Sequence, residues 1–154
     1  MKGEPAVIEQ LNKVLSAELT SINQYFLHAR MFKNWGLNKL NERDYKKSIK
    51  DMKQADSLIE RVLFIEGLPN LQQLGRLRIG ENTAEMFACD FEFQQDQIAL
   101  LRQSVDLCET HKDYVSRELL KEILEYEEEH LDWIETQQHL LQELGSENYL
   151  QSQL

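Results

Sequence analysis

Apolar residues recur at steps of three and four along four long stretches of the chain, the spacing that lines one face of an α-helix. The first stretch opens at Pro5, a residue suited to a first helical turn, and runs to Trp35, where Gly36 ends it. Its inward stripe reads Ile8, Leu11, Leu15, Glu18, Ile22, Tyr25, Ala29 and Phe32, with a single charged member. A second helix is expected from about Asn41 to Glu66, stopped by Gly67, with Asp51, Gln54, Leu58, Val62 and Ile65 on one face. The segment 68 to 81, LPNLQQLGRLRIGE, is too broken by Pro and Gly for a long helix and too long for a hairpin between antiparallel neighbours, so it reads as a crossover. Asn82 is a plausible cap for a third helix with the stripe Ala84, Phe87, Phe91, Gln94, Ile98, Leu101, Val105 and Cys108. Asp113 caps a fourth, with Ser116, Leu120, Ile123, Glu127, His130, Ile134, Gln137 and Leu141 inward and Gly145 at its close. The tail SENYLQSQL can form one short extra helix once it packs on the body or on another subunit.

Four long stripes joined with one crossover make an all-α four-helix bundle, with the long crossover between helices two and three and a short fifth helix at the C-terminus. Composition agrees: 6 Gly and 2 Pro leave few breakers, and 42% hydrophobic with 29% charged residues suits long amphipathic helices. At 154 residues the whole of 1–154 is expected to form a single domain. A formal charge of -10 argues against nucleic acid or an anionic membrane, which need a basic face, and favours cations as guests. The absence of an apolar leader or a long apolar run points to a cytoplasmic protein with no membrane segment. Cys89 and Cys108 fall on one predicted helix about 28 Å apart along its axis, beyond disulfide reach, and read as small, partly buried apolar residues.

The polar interruptions decide the chemistry. Glu18, Asp51 with Gln54, Gln94, and Glu127 with His130 lie at similar distances from their helix ends and would meet in one layer. Bundles that hold two iron ions use a Glu from each of two helices and a Glu-x-x-His pair from each of the others. Here Glu18 is a lone acid and Glu127 with His130 a complete pair, but the second pair reads Asp51-x-x-Gln54 and the remaining lone acid is Gln94.

Over nearly its whole length the chain resembles the bacterioferritins. The resemblance rests on INQYFLHARMFKNWGL from Ile22 to Leu37, ERVLFIEGLPNLQQLG from Glu60 to Gly75, HKDYVSRELL, and Met52 beside the metal positions. It implies a ferritin-like fold and a homo- or hetero-oligomeric shell of twenty-four subunits that oxidises Fe(II), stores ferric iron and carries haem b between paired subunits. The family's ferroxidase ligands fall on Glu18, Asp51, Gln54, Gln94, Glu127 and His130, and three of the six depart from the usual Glu, His and Glu. Glu18, Asp51 and Glu127 supply at most three carboxylates against the four positive charges of two ferrous ions. One reading has Gln54 and Gln94 donating hydrogen bonds to the acids. Its rival has one weakly held ion on Glu127, His130 and Asp51. Either way, little or no ferroxidase activity is expected of this subunit alone, and Glu, His and Glu placed together at 51, 54 and 94 are expected to restore it.

Met52 points about 100° around its helix from Asp51, away from the layer. By itself it reads as filler in an irregular interface; the resemblance makes it the haem ligand, meeting its own copy across a twofold axis. Retention of that ligand beside an altered centre implies a haem-bearing subunit working with a second bacterioferritin subunit type. A small ferredoxin docking near Leu68, Pro69, Asn70 and Glu81 would be its redox partner. Tyr25 reads as a core aromatic, and Lys46, Lys47, Lys50 and Lys53 as a solvated helix face. The alternatives are a competent homomeric ferroxidase and a helical cage or interaction protein without iron chemistry.

Overall fold

The computed structural model describes residues 1–154. It contains the helices α1 (Pro5–Asn34), α2 (Asn38–Phe64), α3 (Thr83–Thr110), α4 (Tyr114–Leu144) and the short α5 (Ser146–Gln151), with no strand. Pro5 opens α1, and Gly36, with φ of 79°, closes the turn into α2. Asn82 accepts from the Glu85 backbone N–H and Asp113 from that of Ser116, the two side-chain caps expected for α3 and α4. Helix α2 begins three residues earlier than its sequence stripe suggests and ends at Phe64, with Glu66 in the left-handed region before Gly67.

Helices α1 and α4 run one way and α2 and α3 the other. One apolar core therefore joins the start of α1 to the ends of α2 and α3 through Leu11, Leu15, Leu58, Val62, Leu101 and Cys108, with Leu120 and Ile123 of α4. A second gathers Phe32, Leu40, Phe87 and Ile134 under Tyr149 of α5. The tail is thus a plug on the second core: Tyr149 is buried and donates its hydroxyl to Gln137 Oε1 at 2.6 Å. Between the two cores lies a slab of buried polar side chains, where the sequence interruptions meet. The α4 stripe is buried from Ser116 to Gln137, with Leu141 half-buried. On α3 the expected Ala84 is exposed, and Thr83, Met86 and Asp90 turn inward instead.

Because α2 ends at the far end of the bundle from the start of α3, the crossover must travel its length. It does so along a ladder of α1 side chains spaced four apart. Asn12 holds Leu68 O and Asn70 N, Ser16 donates to Gln73 O, and Thr20 accepts from Gly75 N at 2.8 Å. Gln24 accepts from Arg78 N at 3.1 Å and His28 Nε2 from Gly80 N at 3.2 Å. An extended segment without its own helical bonds thus has several of its backbone groups paired with α1. Gly80 packs so tightly that a Cβ there would lie 2.4 Å from the Met86 backbone N.

Candidate metal centre

Three helices deliver the acids. Glu18 from α1, Asp51 from α2 and Glu127 from α4 are each fully buried, and their carboxylate oxygens lie within 4.8 Å of one another. His130, one turn beyond Glu127, is also buried but stands outside that trio. Its Nδ1 faces the Arg43 guanidinium at 3.5 Å, its Nε2 has no partner, and its ring stacks on Trp133 and meets Tyr25 edge-on. Burial, then the charges of Lys47 and Arg43, hold its pKa well below the usual histidine range, so the imidazole is neutral.

The two amides donate to the acids. Gln54 Nε2 bonds Glu18 at 3.0 Å and Glu127 at 3.1 Å, and Gln94 Nε2 bonds Glu127 Oε2 at 2.7 Å while its oxygen accepts the Tyr25 hydroxyl at 2.9 Å. Gln97, which sequence reasoning missed, gives Glu18 a further bond at 2.8 Å, and Ser21 bonds Asp51. Each of the two amides therefore acts as a donor to a carboxylate, while Asp51 accepts.

One sequence expectation is overturned. Lys46, Lys50 and Lys53 do lie on an exposed face, but Lys47 is 1% exposed. Its ammonium sits 2.5 Å from Asp51 Oδ1 and 3.0 Å from the Glu127 carboxylate, over the rings of Tyr25 and Tyr126 at 4.9 and 5.2 Å. The signal was present in the sequence, because Lys47, Asp51, Gln54 and Leu58 step by four, three and four along the inward face. Burial works against a charge on Lys47, but Asp51, Glu127 and Glu18 outweigh it and raise its pKa, keeping the ammonium. The acids respond in turn. Burial pushes Asp51 up to about 7 against the opposing pull of Lys47, and burial with the neighbouring Asp51 and Glu127 raises Glu18 well above the carboxylate range.

A second buried cluster, also missed, lies toward the Tyr149 end, where His28, Asp44 and Asp90 converge. His28 Nδ1 is 2.9 Å from Asp90 Oδ1, which also accepts from Gln24 at 2.9 Å. Since His28 and Gln24 hold the crossover with their other ends, this cluster ties α3 to the crossover. Burial and the nearby Asp90 raise the Asp44 pKa.

Met52 is 52% exposed beside the fully buried Asp51, on the outer face of α2. Phe26 and Tyr45 are exposed next to each other across α1 and α2, with ring centroids 6.3 Å apart, and Ile22 and Ile49 are half-buried on the same two helices. An exposed thioether on an apolar face suits a flat, apolar, iron-bearing group.

The model of the ferritin-like domain matches residues 8–144. The chain is 45% identical over 149 residues to the bacterioferritin of Brucella melitensis, covering 97% of this chain and 92% of that protein. It is 43% identical over 155 residues to the bacterial ferritin of Synechocystis, covering 100% and 99%, and 41% identical over 149 residues to the bacterioferritin of Mycobacterium leprae, covering 97% and 94%. With five helices in this order, a polar layer at mid-bundle and similarity spanning nearly the whole chain, the protein belongs to the bacterioferritin family of ferritin-like proteins.

Proposed function

We propose that this chain is a haem-bearing subunit of an iron-storage shell, serving electron transfer to or from stored iron beside a second bacterioferritin subunit type with an intact ferroxidase centre. Iron storage rests on membership of the family and on the similarity to proteins named bacterioferritin. The observation that carries the haem assignment is Met52, a soft sulfur ligand held out from the bundle on a face with Phe26, Tyr45 and Ile49. In a twofold pair Met52 would meet its own copy, so that the two thioethers would together hold one haem b. Bound there, haem supplies one-electron chemistry. The role of this chain is to present the sulfur and shield the group from water with the flanking apolar side chains.

The partner subunit is proposed because the buried acids here are already matched by donors, and two ferrous ions bring more charge than three carboxylates offset. Exposed Leu71, Leu74 and Phe64 supply apolar surface for contacts within a shell of twenty-four subunits. Leu68, with Pro69, Asn70 and Glu81, is the proposed docking surface for a small ferredoxin. A cytoplasmic location completes the reading; no helix is long and apolar enough to cross a membrane.

The test is the absorption spectrum, subunit gel and light scattering of protein purified from its native cells. A haem Soret band, a second subunit on the gel and a shell-sized particle are expected. Haem that survives Met52→Leu with unchanged stoichiometry, or a particle no larger than a dimer, would overturn the proposal.

A further inference from the structure

We infer that Lys47 is a tethered counter-ion standing in the place of a divalent cation, and that this lysine, more than the altered ligands, closes the centre to metal. The inference rests on the reading of the centre as altered and is independent of the haem assignment.

Three buried carboxylates within 4.8 Å of one another need a positive charge among them, protons, or both. The helix supplies the charge internally. Lys47 lies one turn before Asp51, so its stem runs along α2 and sets the ammonium at Asp51 Oδ1 and the Glu127 carboxylate. Those are the oxygens a metal ion would need at about 2.0–2.2 Å. An ammonium at 2.5 and 3.0 Å from the same two groups and a divalent ion there exclude each other by contact and by charge.

The amides are a weaker bar. Gln54 and Gln94 are neutral, and each could surrender its carboxylate to an ion at the cost of a hydrogen bond. A covalently attached cation cannot diffuse away, and it is held among Asp51, Glu127 and the faces of Tyr25 and Tyr126. Restoring ligands at 51, 54 and 94 while Lys47 remains therefore leaves the place of the ion occupied, so the three changes that the sequence alone marks as restorative fall short until Lys47 is also removed. Replacing Lys47 frees two oxygens, with Glu18 adjacent and the unpartnered Nε2 of His130 in the same layer.

The experiment uses Zn(II) alone as probe on the assembled protein, with binding followed by calorimetry and the ion located by anomalous scattering from soaked crystals. The parent should show no zinc among Glu18, Asp51 and Glu127. Lys47→Ala, and Lys47→Gln as a variant that keeps volume and a donor, should each show one ion there, bound on the order of 100-fold more tightly than any ion at those residues in the parent. The pairing Lys47→Ala with Glu127→Gln should lose it. If the variants do not assemble by themselves, refolding with Zn(II) should recover the shell where refolding with a chelator does not. Zinc among the three acids with Lys47 present would overturn the inference. So would its absence from both variants, or refolding that Zn(II) does not help. Failure of the haem proposal would appear in the spectrum of the parent and of Met52→Leu, and leaves this outcome untouched.

Discussion

The two faces of α2 have been put to opposite uses. Inward, Lys47, Asp51 and Gln54 take part in a layer where charge meets charge and amide meets carboxylate. Outward and one residue along, Met52 stands half in solvent with Phe26 and Tyr45 exposed beside it. The inner face has closed on itself, whereas the outer face presents apolar surface and a soft ligand with nothing in the chain to cover them. On the proposed reading, the difference locates what this chain offers: an apolar surface, with the proposed haem ligand on it.

The strongest way to break that contrast is to reopen the inner face. Asp51→Glu, Gln54→His and Gln94→Glu made together should leave the initial rate of Fe(II) oxidation by the homomeric shell within about twofold while Lys47 stays. Adding Lys47→Ala should raise it by on the order of 100-fold, because the ligands act as a unit. Rapid-mixing absorbance of the ferric product reads both. Acceleration in the triple variant by itself would show that the ammonium yields to iron.

Next in size is the loss of one partner from the closed layer. Glu127→Ala takes one of the two carboxylate partners from the Lys47 ammonium and leaves Gln94 Nε2 without an acceptor, and should cost about 3–5 kcal/mol per subunit, the range for removing one member of a buried ion pair. Replacing Lys47, Asp51 and Glu127 together by Met, Leu and Leu should cost far less, since the ion group is then removed whole and Glu18, which burial already raises well above the carboxylate range, keeps its bonds from Gln54 and Gln97. Thermal unfolding of the assembled protein compares the two.

A smaller effect sharpens the protonation of the layer. Asp51 is raised to about 7, so the folded state holds its proton to higher pH than the unfolded chain does. The stability this confers is complete below the unfolded carboxylate value of about 4 and is lost as pH rises through about 7. Raising the pH from 4 to 8 should therefore lower the stability of the parent by on the order of 2 kcal/mol more than that of Asp51→Asn. His130 acts in the opposite sense, with stability lost as pH falls below about 6.5, but equally in both proteins, so it cancels from the comparison. Parallel pH profiles of the two thermal midpoints would contradict this assignment.

The smallest structural effect belongs to the outer face. Met52→Leu keeps an apolar side chain at a half-exposed position, so stability and shell size should stay within about 0.5 kcal/mol and unchanged radius while the haem band disappears. A comparable loss of stability would mean that the sulfur packs structurally.

Periodicity made the four long helices and most of their inward stripes legible, and the α4 stripe from Ser116 to Gln137 is buried as spaced. The polar interruptions at Glu18, Asp51, Gln54, Gln94, Glu127 and His130 also announced a buried layer, because a polar residue on an apolar stripe has nowhere else to go. Other features were present only as ambiguous marks. Asn12, Ser16, Thr20, Gln24 and His28 step by four along α1 as any solvated face would, and only the path of the crossover turns them into its anchors. Asp90 and Gln97 similarly needed α1 beside them to acquire partners.

Lys47 marks the boundary between the two kinds of information. Its place on the inward stripe follows from the repeat of the helix, a local property that the order of residues determines by itself. Whether a lysine so placed snorkels to water or stays charged in the interior depends on what waits there. Glu127, 80 positions away, reaches its ammonium only because α4 packs against α2 at that height. Local backbone geometry sets which way a side chain points, and the sequence records that. The free energy of a buried charge also depends on partners from other helices, and only the tertiary structure brings Glu127 to 3.0 Å from the ammonium.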